Sequence, residues 1–147
     1  MTKVALVANT DWYLYNFRLS LAAFLREQGF EVVLVSPPGK YVSQFERQGY
    51  RWINWGVGRQ SIAPWKEAMS LLQLWWIYWQ ERIDLAHHHT IKPVIYGSIA
   101  ARMAGIDYVI NSITGLGYIF LGTDKRVERL RRAVVCLYRL AFNHPHC

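Results

Sequence analysis

Short apolar stretches of strand length alternate along the chain with longer segments in which apolar residues recur at helical spacing. The short stretches predict five buried strands, over residues 4–8, 31–35, 52–55, 85–88 and 108–113. The longer segments, bounded by Pro or Gly, predict helices that end near Gly29, Gly49, Arg82, Gly105 and Phe142. Because parallel strands need long crossover connections, this alternation predicts an α/β fold, a parallel sheet with helices on both faces.

The loops that follow the predicted strands are where a parallel sheet of this kind binds ligands. The first of them, residues 9–16, contains Asn9, Asp11 and Trp12 and leads to Arg18 just inside the next helix. It lacks the Gly-x-Gly-x-x-Gly turn that a dinucleotide needs, so an ordinary NAD or FAD site is excluded here. Its rings and hydrogen-bonding groups suit a sugar or another polar ring. The alternative is that the aromatic residues only pack on the domain.

Three consecutive histidines end the fourth predicted strand. Strand alternation sends His87 and His89 to one face of the sheet and His88 to the other. No Cys, Asp or Glu cluster lies nearby in the sequence, so a metal site is not expected. We expect His89, with Thr90 and Lys92 beside it, to bind a ligand or carry a proton. The alternative is a histidine whose ring is satisfied by the backbone.

Two glycines follow the fifth predicted strand, in the order Thr114-Gly115-Leu116-Gly117. Glycines at alternate positions after a strand allow backbone amides to turn toward an anion or a sugar hydroxyl. This segment is therefore a further candidate for ligand contact, and a tight turn without a ligand is the alternative.

The helix predicted over residues 64–82 is rich in tryptophan. One broad apolar face is predicted to form the core, and it consists of Ala68, Leu71, Leu72, Trp75 and Trp79. The opposite side is predicted to be a polar stripe, formed by Lys66, Ser70, Gln73 and Gln80 with Ile77 among them. Core packing does not account for Trp76 and Tyr78 at the margins. They indicate a flank that contacts a membrane or a partner, or a contact between domains.

Composition and charge narrow the range of possible protein classes and partners. Hydrophobic residues make up 52% of the 147 positions and charged residues only 18%, so the chain is not intrinsically disordered. Seventeen Lys and Arg against ten Asp and Glu give a net charge of +7. Much of the excess lies near the end of the chain, in Lys125, Arg126, Arg129, Arg131, Arg132 and Arg139. This cluster suits a phosphate-bearing partner or an anionic membrane surface, and a solvated helix face is the alternative.

The sequence also limits where the protein acts. No run of 18 apolar residues exists, so no conventional membrane-spanning helix is predicted. The apolar stretch near the N-terminus is too short for a signal peptide, and we expect a cytoplasmic protein. The predicted strands lack a basic and aromatic face, which makes nucleic acid the least favoured partner.

Three segments together carry a family resemblance: residues 4–12 with Arg18, residues 87–93, and residues 114–120. In this order they resemble the N-terminal, acceptor-side domain of bacterial family 4 glycosyltransferases, in the branch that builds lipid-linked surface polysaccharides. The resemblance implies a Rossmann-like parallel sheet that forms one half of a GT-B architecture. Residues 1–147 would be that N-terminal domain, with the C-terminal nucleotide-sugar domain absent.

The resemblance further implies transfer of a sugar, with retention of configuration and without a metal or resident cofactor, from a nucleotide-sugar to a polysaccharide or lipid-linked acceptor. The chain is then expected to be inactive alone and to need a C-terminal glycosyltransferase half. The alternative is a stand-alone module that binds a sugar or a lipid diphosphate without catalysis. Many relatives place a histidine at the end of the fifth strand, where this sequence has Thr114, so no catalytic residue is assigned.

The resemblance also implies which residues line the acceptor side. They are Asn9, Asp11, Trp12, Arg18, His89, Thr90, Lys92, Thr114, Gly115 and Gly117. Arg18 and Lys92 are expected to meet the diphosphate of a lipid carrier, because cations form strong hydrogen bonds with phosphate oxygens. Peripheral association with the inner face of the cell membrane would bring the protein to such a carrier.

Overall fold

A computed structural model describes residues 1–58, 64–113 and 125–143 of the chain. Five strands form one sheet: β1 (Lys3–Val7), β2 (Glu31–Ser36), β3 (Arg51–Asn54), β4 (Leu85–His89) and β5 (Tyr108–Ser112). The described helices are α1 (Asp11–Phe17), α2 (Leu19–Glu27), α3 (Val42–Arg47), α4 (Pro64–Glu81), α5 (Ile91–Ala104) and α6 (Lys125–Phe142). All four strand pairings are parallel, and the strand order is β3-β2-β1-β4-β5. The predicted Rossmann-like α/β fold is confirmed.

Strand β1 lies at the centre of the sheet, and its alternating side chains divide the core into two layers. Ala5 and Val7 pack with buried residues of α4 and α5. Val4 and Leu6 point the other way and pack with residues of α1, α2 and α3. The helices therefore cover both faces, and α6 packs against α5 through Tyr138 and its neighbours.

The first loop of the sequence prediction is largely helical in the structure. Thr10 caps α1, because its Oγ1 accepts a hydrogen bond from the backbone N–H of Tyr13 at 3.1 Å. Asp11 then supplies an acidic side chain in the first turn, which the helix dipole favours. Only Arg18 separates α1 from α2. The prediction of a loop over residues 9–16 was wrong because the aromatic residues obscured this start signal.

The predicted core face of α4 was wrong in part: Leu71 and Trp75 pack against the core as expected, but other members of the face do not. Leu72 and Trp79, assigned to the core, are 52% and 57% exposed. The buried residues of this helix are instead Ser70, Leu74, Ile77, Tyr78 and Glu81. The helix is thus rotated relative to the prediction, so that part of the supposed polar stripe faces inward.

Hydrogen bonds to the chain that follows β3 explain this rotation. The indole N–H of Trp55 donates to the Ser70 carbonyl at 2.8 Å, and the Gln73 Oε1 accepts from the Gly56 backbone N–H at 2.8 Å. At the other end of α4, the nearly buried Glu81 carboxylate receives two hydrogen bonds from Arg51. Inward-facing polar groups are stable here because each has a partner.

Candidate functional site

The candidate site lies where β1 and β4 end side by side. These neighbouring strands are parallel, with Val7 opposite His88. The chain leaves β1 toward α1 on one face of the sheet and leaves β4 toward α5 on the other. The crevice between such divergent connections, at the carboxyl ends of the strands, is the usual ligand position in an open α/β sheet.

Arg18 sits at the junction of α1 and α2 and is fixed by three hydrogen bonds. Its Nε donates to Nδ1 of His89 at 3.1 Å, its Nη2 to the hydroxyl of Tyr13 at 2.9 Å, and its Nη1 to the carbonyl of Phe17 at 2.9 Å. A guanidinium has five N–H groups. Within the part of the chain that the structure describes, the other two carry no hydrogen bond. The guanidinium is therefore oriented before any ligand arrives.

The contact with Arg18 fixes the tautomer of His89. Because Nδ1 accepts the hydrogen bond, the neutral ring carries its proton on Nε2. The side chain is fully buried, and among the described residues Nε2 has no hydrogen-bond partner. Burial, and then the neighbouring His87, Arg18 and His88, together lower the pKa of His89 to about 2. His89 therefore presents a neutral, unsatisfied N–H donor.

The predicted alternation of the three histidines is confirmed. His87 lies on the same side as His89, with ring centroids 4.0 Å apart, and its Nε2 is 2.7 Å from the Ser112 hydroxyl. Burial, then the charge of Arg18, lowers the pKa of His87 to about 4. His88 points into the opposite layer, where Nε2 is 2.8 Å from the Tyr78 hydroxyl. His88 is therefore a satisfied core residue.

Thr90 connects β4 to α5 in a strained conformation. Its φ of 72° and ψ of 167° fall in a region that is essentially restricted to glycine. It occupies the N-cap position of α5 without a side-chain capping bond, and its Oγ1 is buried without a partner among the described residues. Strain and an unsatisfied hydroxyl at a helix N-terminus are features that recur at ligand sites.

A cavity of about 520 Å³ opens beside Arg18 and Thr90. Its other described lining residues are Trp12, Tyr13 and Phe17 of α1. Trp12 and Phe17 are about half exposed and meet edge to face, with ring centroids 5.4 Å apart. The helical turn that the sequence prediction missed is what brings Tyr13 and Phe17, four residues apart, onto one wall.

Asp11 faces away from this cavity. One carboxylate oxygen accepts a hydrogen bond from the Tyr41 backbone N–H at 2.8 Å, and the carboxylate packs directly on the Gly39 backbone. These contacts join α1 to the turn before α3, which gives Asp11 a structural role. Asn9 is half-buried just after β1.

Lys92 lies in the first turn of α5, and its ammonium points toward α4. It donates to both carboxylate oxygens of Glu67, at 2.9 and 3.1 Å, and to the Gly58 carbonyl at 2.6 Å. Tyr96 donates to the same carboxylate. The suggested contact of Lys92 with a diphosphate stays a prediction, as do those of Thr114, Gly115 and Gly117, which lie outside the described residues.

Comparison with known proteins finds similarity to glycosyltransferases. A family model described as glycosyl transferase 4-like matches residues 3–146. An N,N'-diacetylbacillosaminyl-diphospho-undecaprenol alpha-1,3-N-acetylgalactosaminyltransferase of Campylobacter jejuni is 22% identical over 98% of this chain and 38% of its own length. A UDP-Gal:alpha-D-GlcNAc-diphosphoundecaprenol alpha-1,3-galactosyltransferase of Escherichia coli is 34% identical over 48% of this chain and 18% of its own.

Solved structures share the fold. MurG of Acinetobacter baumannii matches with a TM-score of 0.62 and 21% identity, over 76% of this chain and 33% of that one. The S. aureus MnaA–UDP structure matches with a TM-score of 0.63 and 18% identity, over 93% and 36%. The five-stranded sheet thus corresponds to one Rossmann-like part of larger proteins with GT-B-like folds, and the chain spans well under half of each.

Proposed function

This chain belongs to the glycosyl transferase 4-like family, and on that premise we propose that it is the acceptor-binding half of a retaining glycosyltransferase that acts on lipid-linked diphosphates. The names of two relatives specify diphospho-undecaprenol acceptors, which supports this acceptor class. A C-terminal half would supply the contacts to the nucleotide-sugar. The chain alone would bind the acceptor without transferring sugar, and no resident cofactor is required.

The observation that carries the proposal is a set of donors without acceptors at the end of β4. Two N–H groups of Arg18 and the Nε2–H of His89 are unsatisfied among the described residues, and α5 begins there without a side-chain cap. A diphosphate has many acceptor oxygens and a negative charge, which suits both a guanidinium and a helix N-terminus. Because Arg18 is already oriented, little freedom is lost when the diphosphate binds.

Holding the diphosphate would give the acceptor sugar a fixed position. A sugar attached to a bound diphosphate can present its hydroxyl to the donor in one orientation, which reduces the entropic part of the reaction barrier. The neutral state of His89 also fits this role, since its ring can donate from Nε2 while Nδ1 continues to hold Arg18. In this scheme His89 and Arg18 bind substrate, and neither needs to exchange a proton during transfer.

Replacing Arg18 with alanine should weaken binding of a polyprenyl-diphosphate-linked N-acetylglucosamine by about 1.5–3 kcal/mol, roughly ten- to a hundredfold in Kd, because charge-assisted hydrogen bonds are lost. Isothermal titration calorimetry on the full chain measures this change. Arg26→Ala is a matched control, since Arg26, on α2, donates to the Gln48 carbonyl and stacks over the ring of Tyr50. Equal losses in both variants, or none in Arg18→Ala, would contradict the proposal.

A second surface supports membrane association as part of the same function. Five residues of α4, each at least half exposed, form what we call the α4 stripe: Trp65, Met69, Leu72, Trp76 and Trp79. Their spacing of four and three residues places them on one helix face. No helix in the described parts of the chain is long and apolar enough to cross a bilayer. We propose that the α4 stripe lies in the membrane interface, where indole rings are favoured.

The predicted basic helix, α6, carries exposed cations of its own. On α6, Arg132 and Arg139 are exposed, and Arg132 donates to Glu128 at 2.6 Å. The side chains of Lys125, Arg126 and Arg129 lie outside the described residues. We propose that the arginines of α6 add a salt-sensitive attraction to anionic lipids.

The double variant Trp76→Ser/Trp79→Ser should reduce the fraction of protein that floats with anionic vesicles by about tenfold, because two large apolar side chains no longer reach the interface. High salt should weaken flotation of the unaltered protein without abolishing it. Phe24→Ser on α2 removes an equally exposed ring from the opposite face of the sheet and should change little. Failure of the unaltered protein to float at either ionic strength would refute membrane association.

A further inference from the structure

The cavity beside Arg18 is suited to an apolar group, and we propose that it takes the first isoprene unit of a polyprenyl diphosphate rather than the acceptor sugar. This inference rests on the proposed function, because it places the diphosphate at Arg18. It goes beyond that function by assigning the lipid carrier, and not only its charged head, to a particular binding site on the protein.

The lining of the cavity favours hydrocarbon over sugar. Three of its described lining residues are aromatic, and Trp12 and Phe17 present half-exposed ring surfaces. Among the described lining residues there is no carboxylate or side-chain amide, the groups that usually accept hydrogen bonds from sugar hydroxyls. Asp11, beside Trp12 in the chain, is held by the Tyr41 backbone N–H.

The described lining offers a sugar only two hydroxyl groups, those of Tyr13 and Thr90. The Tyr13 hydroxyl accepts a hydrogen bond from Arg18 at 2.9 Å, and the Thr90 Oγ1 is buried. Aromatic rings do stack on sugars, but sugar sites normally add polar partners that satisfy the hydroxyls around the stacked ring. The described walls offer ring surface with few such partners, so burying a sugar here would leave hydroxyls unsatisfied.

Charge and shape match an amphiphilic ligand. The described lining combines the guanidinium of Arg18 with the three aromatic rings of α1 and Thr90. A prenyl diphosphate has the matching combination of groups, an anion followed directly by hydrocarbon. The volume of about 520 Å³ falls within the range of about 300–1,000 Å³ that small-molecule sites occupy.

Calorimetric titration of the full chain with three probes tests this assignment: farnesyl diphosphate, inorganic pyrophosphate and N-acetylglucosamine 1-phosphate. Farnesyl diphosphate should bind at least about tenfold more tightly than pyrophosphate, because the cavity removes apolar carbons from water. This ratio is measured on the unaltered protein and does not depend on the folding of any variant.

Variants then show which residues cause the preference for farnesyl diphosphate over pyrophosphate. Trp12→Ala and Phe17→Ala should each weaken the binding of farnesyl diphosphate roughly fivefold or more and leave the binding of pyrophosphate unchanged. Two matched controls remove exposed aromatic side chains elsewhere, Phe24→Ala on α2 and Trp76→Ala in the α4 stripe, and neither should alter the ratio. Arg18→Ala should weaken both diphosphates, since it removes the charge that they share.

The outcomes separate the two proposals. If pyrophosphate does not bind, or if Arg18→Ala leaves both diphosphates unaffected, the proposed function itself fails. If pyrophosphate binds through Arg18 but farnesyl diphosphate binds no more tightly, only the isoprene assignment is overturned. The assignment is equally overturned if Trp12→Ala weakens the binding of N-acetylglucosamine 1-phosphate but not that of farnesyl diphosphate, because the cavity would then be a sugar site.

Discussion

Replacing Gly97 with alanine should destabilise the protein by about 2–3 kcal/mol, although the same change inside a helix normally stabilises by about 0.5–1 kcal/mol. A Cβ at position 97 would overlap the ring of His88. That ring is fully buried and held on two sides, with Nε2 near the Tyr78 hydroxyl and Nδ1 near Oδ1 of Asn111, each at 2.8 Å. It cannot move away without breaking buried hydrogen bonds, so α5 must shift instead. Thermal unfolding should show a Tm lower by about 8 °C.

Two further variants isolate this overlap. Gly29 has a φ of 87° and nothing near its missing Cβ, so Gly29→Ala should cost only about 1 kcal/mol, from backbone strain. In a His88→Ala background, the penalty of Gly97→Ala should shrink, because the added methyl enters space that the ring has left. A Gly97→Ala protein that melts at or above the temperature of the unaltered protein would contradict the packing described for α5.

Acid should destabilise the protein strongly through His87 and His89. Burial lowers the pKa of His87 to about 4 and that of His89 to about 2, whereas an unfolded histidine titrates near 6.5. As the pH falls below 6.5, the unfolded chain binds protons that the folded chain does not, so the free energy of unfolding decreases. The contribution of the two neutral histidines to stability is complete above pH 6.5. The contribution of His87 is lost as the pH falls from about 6.5 to 4. Between pH 7 and 5 the two histidines together should remove about 4 kcal/mol.

Urea unfolding of the unaltered protein and of His87→Gln at pH 7 and pH 5 measures this effect. Glutamine can still reach the Ser112 hydroxyl but does not titrate, so the variant should lose about half of the pH dependence. If the free energy of unfolding depends on pH equally in the two proteins, His87 titrates in the folded state as it does in the unfolded chain. A stability that rises toward pH 5 would reverse the expected sign and contradict the burial of both rings.

The sheet was predictable because its strands carry a local signal. Residues 4–8 are apolar without interruption, which is what a central parallel strand with helices on both faces requires. The faces of α4 were not predictable, because the hydrogen-bond partners of the buried Ser70 and of Gln73 belong to residues 54–56. A helical wheel ranks residues by polarity alone and cannot include hydrogen bonds made to a distant part of the chain.

In the candidate site, too, some features were predictable from the sequence and others were not. The rule that ligands bind at the carboxyl ends of parallel strands placed Trp12, Arg18 and Thr90 together, and the structure has all three lining one cavity. The same rule grouped Asp11 and Lys92 with these residues, but it could not indicate their partners Tyr41 and Glu67, which lie far away in the sequence. The strain at Thr90 was equally hidden, since a threonine in a sequence gives no indication of a positive φ.

The fixed tautomer of His89 also provides a spectroscopic reporter. A ring N–H that is buried and shielded from solvent exchanges slowly with water, so its proton is expected as a resolved signal in an NMR spectrum of the folded protein. A phosphate oxygen that accepts this N–H would displace the signal downfield, whereas an apolar ligand that fills only the neighbouring cavity would leave it nearly in place. One resonance can therefore distinguish the charged and the hydrocarbon parts of a bound molecule without a label, a dye or a turnover assay.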